Sequence, residues 1–188
     1  MGHRLALGLI AALPGLLAAC AAPAAVAPAS AQAAPSATTR PSAAPASCPT
    51  TRPPDPPFVP SAPYPPTPPS VEGDKVWYGT DQLWTWLDAD GTWEMARDEH
   101  GLFDKSFWWR QGYDWRTETT PRLRVTGRRL DAPAPAVTVS GATNGFEESM
   151  GAFMLVGLEL PAGGCWELTG HYHGRMLRLV VWVMHWRP

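Results

Sequence analysis

The residues best equipped for chemistry in this chain lie close together near its C-terminal end, in "GGCWELTGHYHGRMLRLVVWV" (163–183). His171 and His173 stand two apart, so on a strand they point the same way, and paired imidazoles suit copper or zinc. A metal site needs a third or fourth ligand. The sequence offers only Cys165, His100 or His185, and none stands at a diagnostic zinc spacing. The competing reading is the last hairpin of a β-domain. Trp166, Leu168 and Tyr172 then face the core, while Cys165, Glu167, Thr169 and His171 face the other way. His173-Gly174 makes the turn, and Leu177, Leu179, Val181 and Val183 return as an inward row. The hairpin reading is taken, with metal handling by His171 and His173 as its alternative and no cofactor assigned.

Aromatic side chains form the second candidate. All ten tryptophans fall between Val71 and Pro188. In "LWTWL" (83–87), Trp84 and Trp86 oppose Leu83, Thr85 and Leu87, and in "SFWW" (106–109) Trp108 and Trp109 point to opposite sides. Trp84, Trp86, Trp108 and Trp109, with Lys105 and Arg110, could form a ligand surface for an envelope glycan or another envelope protein. The competing reading, a structural envelope protein with no small ligand, buries them under the proline-rich "PPDPPFVPSAPYPPTPP" (53–69), since prolines pack well on aromatic faces. The carboxylates are scattered over turns and exposed strand positions, with Glu147-Glu148 placed in a loop. No nucleophile elbow or phosphate loop is present, so no catalytic residue is assigned and the protein is read as non-enzymatic.

These side chains need a scaffold, and the period-two pattern broken by turn residues predicts strands. They are expected at 76–80, 83–87, 92–96, 105–110, 122–130, 136–140 and 152–160, followed by the closing hairpin. "DADG" (88–91) reads as the turn of an antiparallel hairpin joining 83–87 to 92–96. No segment carries a helical period with a cap. The fold class is all-β, an immunoglobulin-like antiparallel sandwich, with a small β-barrel as the alternative. Residues 71–188 carry 12 basic and 16 acidic side chains with no basic run, so nucleic acid is not an expected partner.

The N-terminal third has another character. His3 and Arg4 precede an apolar run from Leu5 to Leu17, too short for a membrane span and suited to an export signal. The run ends in Leu17-Ala18-Ala19-Cys20, which resembles the lipobox of bacterial lipoproteins. That resemblance implies removal of residues 1–19, lipid on Cys20, and a protein held at a cell or outer membrane. Residues 20–47 read as a disordered Ala/Pro linker, and 48–70 as a proline-rich extended segment packed on or leading into the domain. Residues 21–70 hold 16 of the 22 prolines, which disfavours a packed core and stiffens the chain. With Cys20 assigned to lipid, Cys48 and Cys165 are left to pair, as two thiols do in an oxidising envelope.

"CPTTRPPDPP" (48–57), "YGTDQLWTWLDADGTW" (78–93), "KSFWWR" (105–110), "GRRLDAPAP" (127–135) and "LPAGGCWELTG" with "LRLVVWV" (160–183) occur in this order. The set resembles a family of bacterial secreted proteins and lipoproteins of unknown function. The resemblance implies a compact β-domain in the cell envelope that includes Cys48. It carries no activity with it.

Overall fold

A computed structural model describes residues 43–69 and 74–185. The expected signal segment, Cys20, the linker as far as residue 42, residues 70–73 and residues 186–188 lie outside the described residues. Among the described residues all regular structure is strand: β1 (Lys75–Thr80), β2 (Leu83–Asp88), β3 (Thr92–Arg97), β4 (Leu102–Trp109), β5 (Arg124–Arg129), β6 (Thr138–Val139), β7 (Thr143–Glu147), β8 (Gly151–Leu160), β9 (Gly164–Tyr172) and β10 (Arg175–His185). One layer, sheet A, runs β1-β2-β4-β8, with β6 and β7 both paired to β8. The other, sheet B, runs β3-β10-β9-β5. This is a sandwich-like all-β fold, not a closed barrel.

Two expectations about the strands need correction. The turn at 88–91 forms, with Gly91 N–H donating to Asp88 O at 2.8 Å, but β2 and β3 do not pair as a hairpin. Instead β3 crosses between the layers. Residues 92–95 pair with residues 182–185 of β10, and Ala96-Arg97 pair with β4. The β3–β10 ladder is parallel, the one departure from an antiparallel pattern among the described strands. The second correction is β7, which takes Glu147 out of the expected loop and into a strand end, while Glu148 follows in the turn.

Alternation decides the core. Leu83, Leu87, Trp108, Met154, Val156 and Leu158 of sheet A meet Trp166, Leu168, Leu179, Val181 and Val183 of sheet B. Gly170 lets the layers approach, because a Cβ there would strike the Trp108 ring. Trp166 Nε1 donates to Ala162 O at 3.0 Å, which fastens the corner leading into β9.

Sheet A is apolar on its outer face as well. Trp77, Trp84, Trp109 and Phe153 form a second buried cluster, with Trp86, Phe107 and Leu155 packed against it. The proline-rich segment covers this cluster. Tyr64 meets Trp84 edge-on at 4.9 Å, Phe58 lies 5.8 Å from Trp84, and Trp77 Nε1 donates to Pro65 O at 3.1 Å. The segment is held at both ends. Tyr64 Oη donates to Arg110 O at 3.1 Å and Gln111 Nε2 to Ala62 O at 2.8 Å. At the other end Cys48 is disulfide-bonded to Cys165, and Thr51 N–H donates to Val180 O at 2.8 Å. Both cores and the disulfide lie within the compact unit Arg40–Pro188, which therefore has what it needs to fold without the residues ahead of it.

Replacing both Cys48 and Cys165 with alanine opens a loop whose ends are 117 residues apart. In the chain-entropy account this lowers the unfolding free energy by ~4–5 kcal/mol. Tyr64→Ala, with the bridge intact, lowers it by ~3 kcal/mol through the cavity left over Trp84. Urea unfolding followed by tryptophan fluorescence reads both, and an unchanged midpoint in either variant contradicts the strap.

Candidate binding cleft

The sequence-derived ligand surface does not exist as an exposed patch. Trp84 and Trp109 have no exposed area and belong to the cluster under the strap, while Trp108 is 1% exposed and lies between the sheets. Trp86 is half-buried over Trp77 and Phe107. Arg110 is separate, its guanidinium 6.0 Å from the Tyr172 ring at the far end of the sandwich. The reason is the strap, which turns the outer face of β2 and β4 into interior. Of the six residues, Trp86, Lys105 and Trp108 do line one feature in common.

That feature is a cleft of about 1010 Å³, the upper end of the size range of small-molecule sites. It opens because β4 loses its neighbour. β2 pairs with β4 only at Trp84↔Trp109 and Thr85↔Trp108, and β3 rejoins β4 only at Phe103 and Leu102. Between these points Asp104–Phe107 have no strand on that side. Side chains replace the missing ladder: Thr85 Oγ1 donates to Phe107 O at 2.7 Å, and Lys105 N–H donates to Asp104 Oδ1 at 2.7 Å.

Leu168, Leu179, Val181 and Trp108 give the cleft an apolar lining from the core. Thr85 and Ser106, 4% and 5% exposed, add two hydroxyls. Ser106 Oγ accepts Trp108 Nε1–H at 2.9 Å and donates to Val156 O at 3.3 Å, so it also fixes the indole. Trp93 Nε1 donates to Asp104 Oδ2 at 2.6 Å, which sets the wall contributed by β3. Carboxylates ring the opening at Asp88, Asp90, Glu94 and Asp104. Lys75 engages Asp88 at 2.7 Å. Asp90 is held below the usual carboxylate range: partial burial pushes it up, but hydrogen bonds from the Thr92 hydroxyl and N–H outweigh that. Thr85, Trp93, Asp104 and Ser106 went unread in the sequence, although Thr85 and Ser106 occupy inward positions of otherwise apolar strands.

The histidines do not converge. Cys165 is consumed by the disulfide. His171 is exposed beside Arg124 and Met176 of the neighbouring strands, whereas His173 sits in the turn at φ 46°, its ring against Tyr172. Among the described residues no three His, Cys, Asp or Glu side chains are placed to hold a metal. His173 instead lies 3.5 Å from Glu118. Glu118 ties the 110–123 loop to the hairpin tip, because Tyr172 Oη donates to its Oε2 and Arg122 N–H to its Oε1 at 3.2 Å. Burial raises the Glu118 carboxyl, but these hydrogen bonds and His173 bring it below its ordinary value. Burial and Glu118 together push the Tyr172 hydroxyl well above the usual phenol range. Tyr113, also buried near Glu118, is pushed up to about 12.

No family model, curated protein or solved structure matches the chain.

With its folded-state carboxyl below the ordinary value, Glu118 contributes stability that is complete above that value and is lost as pH falls through the folded one. The thermal midpoint should therefore drop as pH falls below about 4.3. Glu118→Gln should lower the midpoint at neutral pH and flatten that acid slope. A Gln variant with the full acid slope contradicts the assignment.

Proposed function

We propose that this protein is an exported, lipid-anchored envelope protein whose β-sandwich is a binding module, with the cleft between β2, β3 and β4 as its ligand site. The cleft is the observation that carries the reading. It combines indole surface, two buried hydroxyls and a polar rim, a mixture suited to a saccharide, which offers apolar ring faces and hydroxyl edges together. The export half of the reading rests on the signal-like N-terminus and the lipobox at Cys20. A disulfide fits an oxidising compartment. The proline-rich linker serves as a spacer between anchor and module.

The test is calorimetric titration of residues 40–188 with a panel of N-acetylhexosamine oligomers and neutral envelope glycan fragments. One of these should bind, and Trp93→Ala should weaken it by about tenfold, the loss of ~1.4 kcal/mol. Lys105→Ala changes an exposed side chain at the rim and leaves the fold alone, so it separates loss of binding from loss of structure. Silence across the panel, or binding indifferent to both substitutions, overturns the cleft as the site.

A further inference from the structure

The outer face of sheet B differs from the rest of the surface. Its side chains stand in register as three rows across β5, β9 and β10: Arg124, His171 and Met176; Thr126, Thr169 and Arg178; Arg128, Glu167 and Val180. Arg122, just ahead of β5, and Arg175, at the start of β10, are also exposed at the same end. Arg124, Arg128 and Arg178 thus share the rows with one carboxylate, Glu167, and Arg122 and Arg175 extend the positive charge to the hairpin end, where Glu118 lies beside His173. Both oxygens of Glu167 are taken by Arg128, at 2.8 and 3.2 Å, and Arg178 lies 3.8 Å away. Residues 71–188 carry 12 basic against 16 acidic side chains, a net −4, so positive charge is gathered here against the balance of the domain.

An arginine-rich β5 is what an edge strand uses to resist pairing with other chains. That accounts for Arg124 and Arg128. It extends to Arg175 and Arg178, because β10 pairs with β3 only over residues 182–185, but not to Met176, an apolar side chain 59% exposed in the first of these rows. The tether arrives on this same face. Cys165 shares the outward side of β9 with Glu167 and His171, and its bond to Cys48 delivers the chain there. From Cys48 back to Cys20 there are 27 intervening residues, ~80 Å if fully extended and much less when slack.

We propose that the outer face of sheet B docks on an anionic lipid surface, its guanidiniums taking headgroup phosphates and Met176 entering the headgroup layer. This rests on the reading that Cys20 anchors the chain to a membrane, since the anchor holds this face within reach of headgroups at high effective concentration. Docking by sheet B leaves sheet A, with its strap and the gap along β4 between β2 and β3, facing away from the lipid. The ligand site then stays open while the domain lies flat.

The test uses residues 40–188, which carry no acyl chain, sedimented with vesicles of phosphatidylcholine alone or with phosphatidylglycerol added. The expected result is binding to the anionic vesicles only, weakening with salt. Arg124→Gln and Arg178→Gln should each lower the partition coefficient about fivefold. Both residues are exposed, and intact urea midpoints show that the variants still fold. Equal partitioning to the two vesicle types, or anionic binding untouched by the substitutions, overturns the proposal. Binding to heparin without binding to vesicles also overturns it, and reassigns the face to an anionic polymer. Lipidation of Cys20 is read independently from the intact mass of the full chain, so the two readings fail separately.

Discussion

Sheet A has two apolar faces and only one partner sheet, and most of the domain follows from how the second face is covered. Trp77, Trp84, Trp109 and Phe153 would otherwise present a large aromatic patch to water. A segment rich in proline can lie on such a patch with little loss of entropy, because its backbone is already extended and stiff. Phe58 and Tyr64 supply the contacts, and the Cys48–Cys165 bond fixes where the crossing begins. The strap is thus part of the interior, in keeping with the reading of 48–70 as a proline-rich segment packed on the domain.

The cleft arises from a second constraint. β3 satisfies its backbone by pairing in parallel with β10, which draws it out of sheet A and leaves β4 with β8 on one side and no strand on the other from Asp104 to Phe107. A gap in a sheet costs hydrogen bonds unless side chains replace them, and Thr85 and Asp104 do so. The polar groups that repair the sheet are therefore the ones that line the cleft. Stability and the proposed ligand site draw on the same residues.

Much of this was legible in the sequence, and the limits have physical causes. The β9–β10 hairpin could be read because its faces are set by local alternation: Trp166, Leu168 and Tyr172 inward, Glu167 and His171 outward. The disulfide could be read because two cysteines remained to pair. The β2–β3 relation was misread because Asp88-Ala89-Asp90-Gly91 encodes a tight turn, and a tight turn does not say whether the strands beyond it stay together. The partner of β3 lies some ninety residues away on β10, where no local pattern reports it. β7 was missed because Gly145 and Asn144 interrupt the alternation. Of the two readings offered for the tryptophans, burial under the proline-rich segment holds at Trp84 and Trp109, while Trp108 is covered by sheet B. Alternation alone shows which side of a strand a residue faces, and the choice between the readings needed the cover to be seen.

The central claim is that the aromatic outer face of sheet A is a closed second core. Hydrogen exchange of the indole N–H groups, followed residue by residue by NMR after transfer to heavy water, tests it most directly. Trp77 and Trp109 donate to Pro65 O and Met150 O, and Trp84, which finds no acceptor among the described residues, is shielded by burial alone. The account predicts that all three signals persist, and that Trp84 exchanges only when the strap or the whole domain opens. Loss of the Trp77 and Trp84 signals within the dead time, while Trp166 stays protected, would show that the strap does not close the sheet.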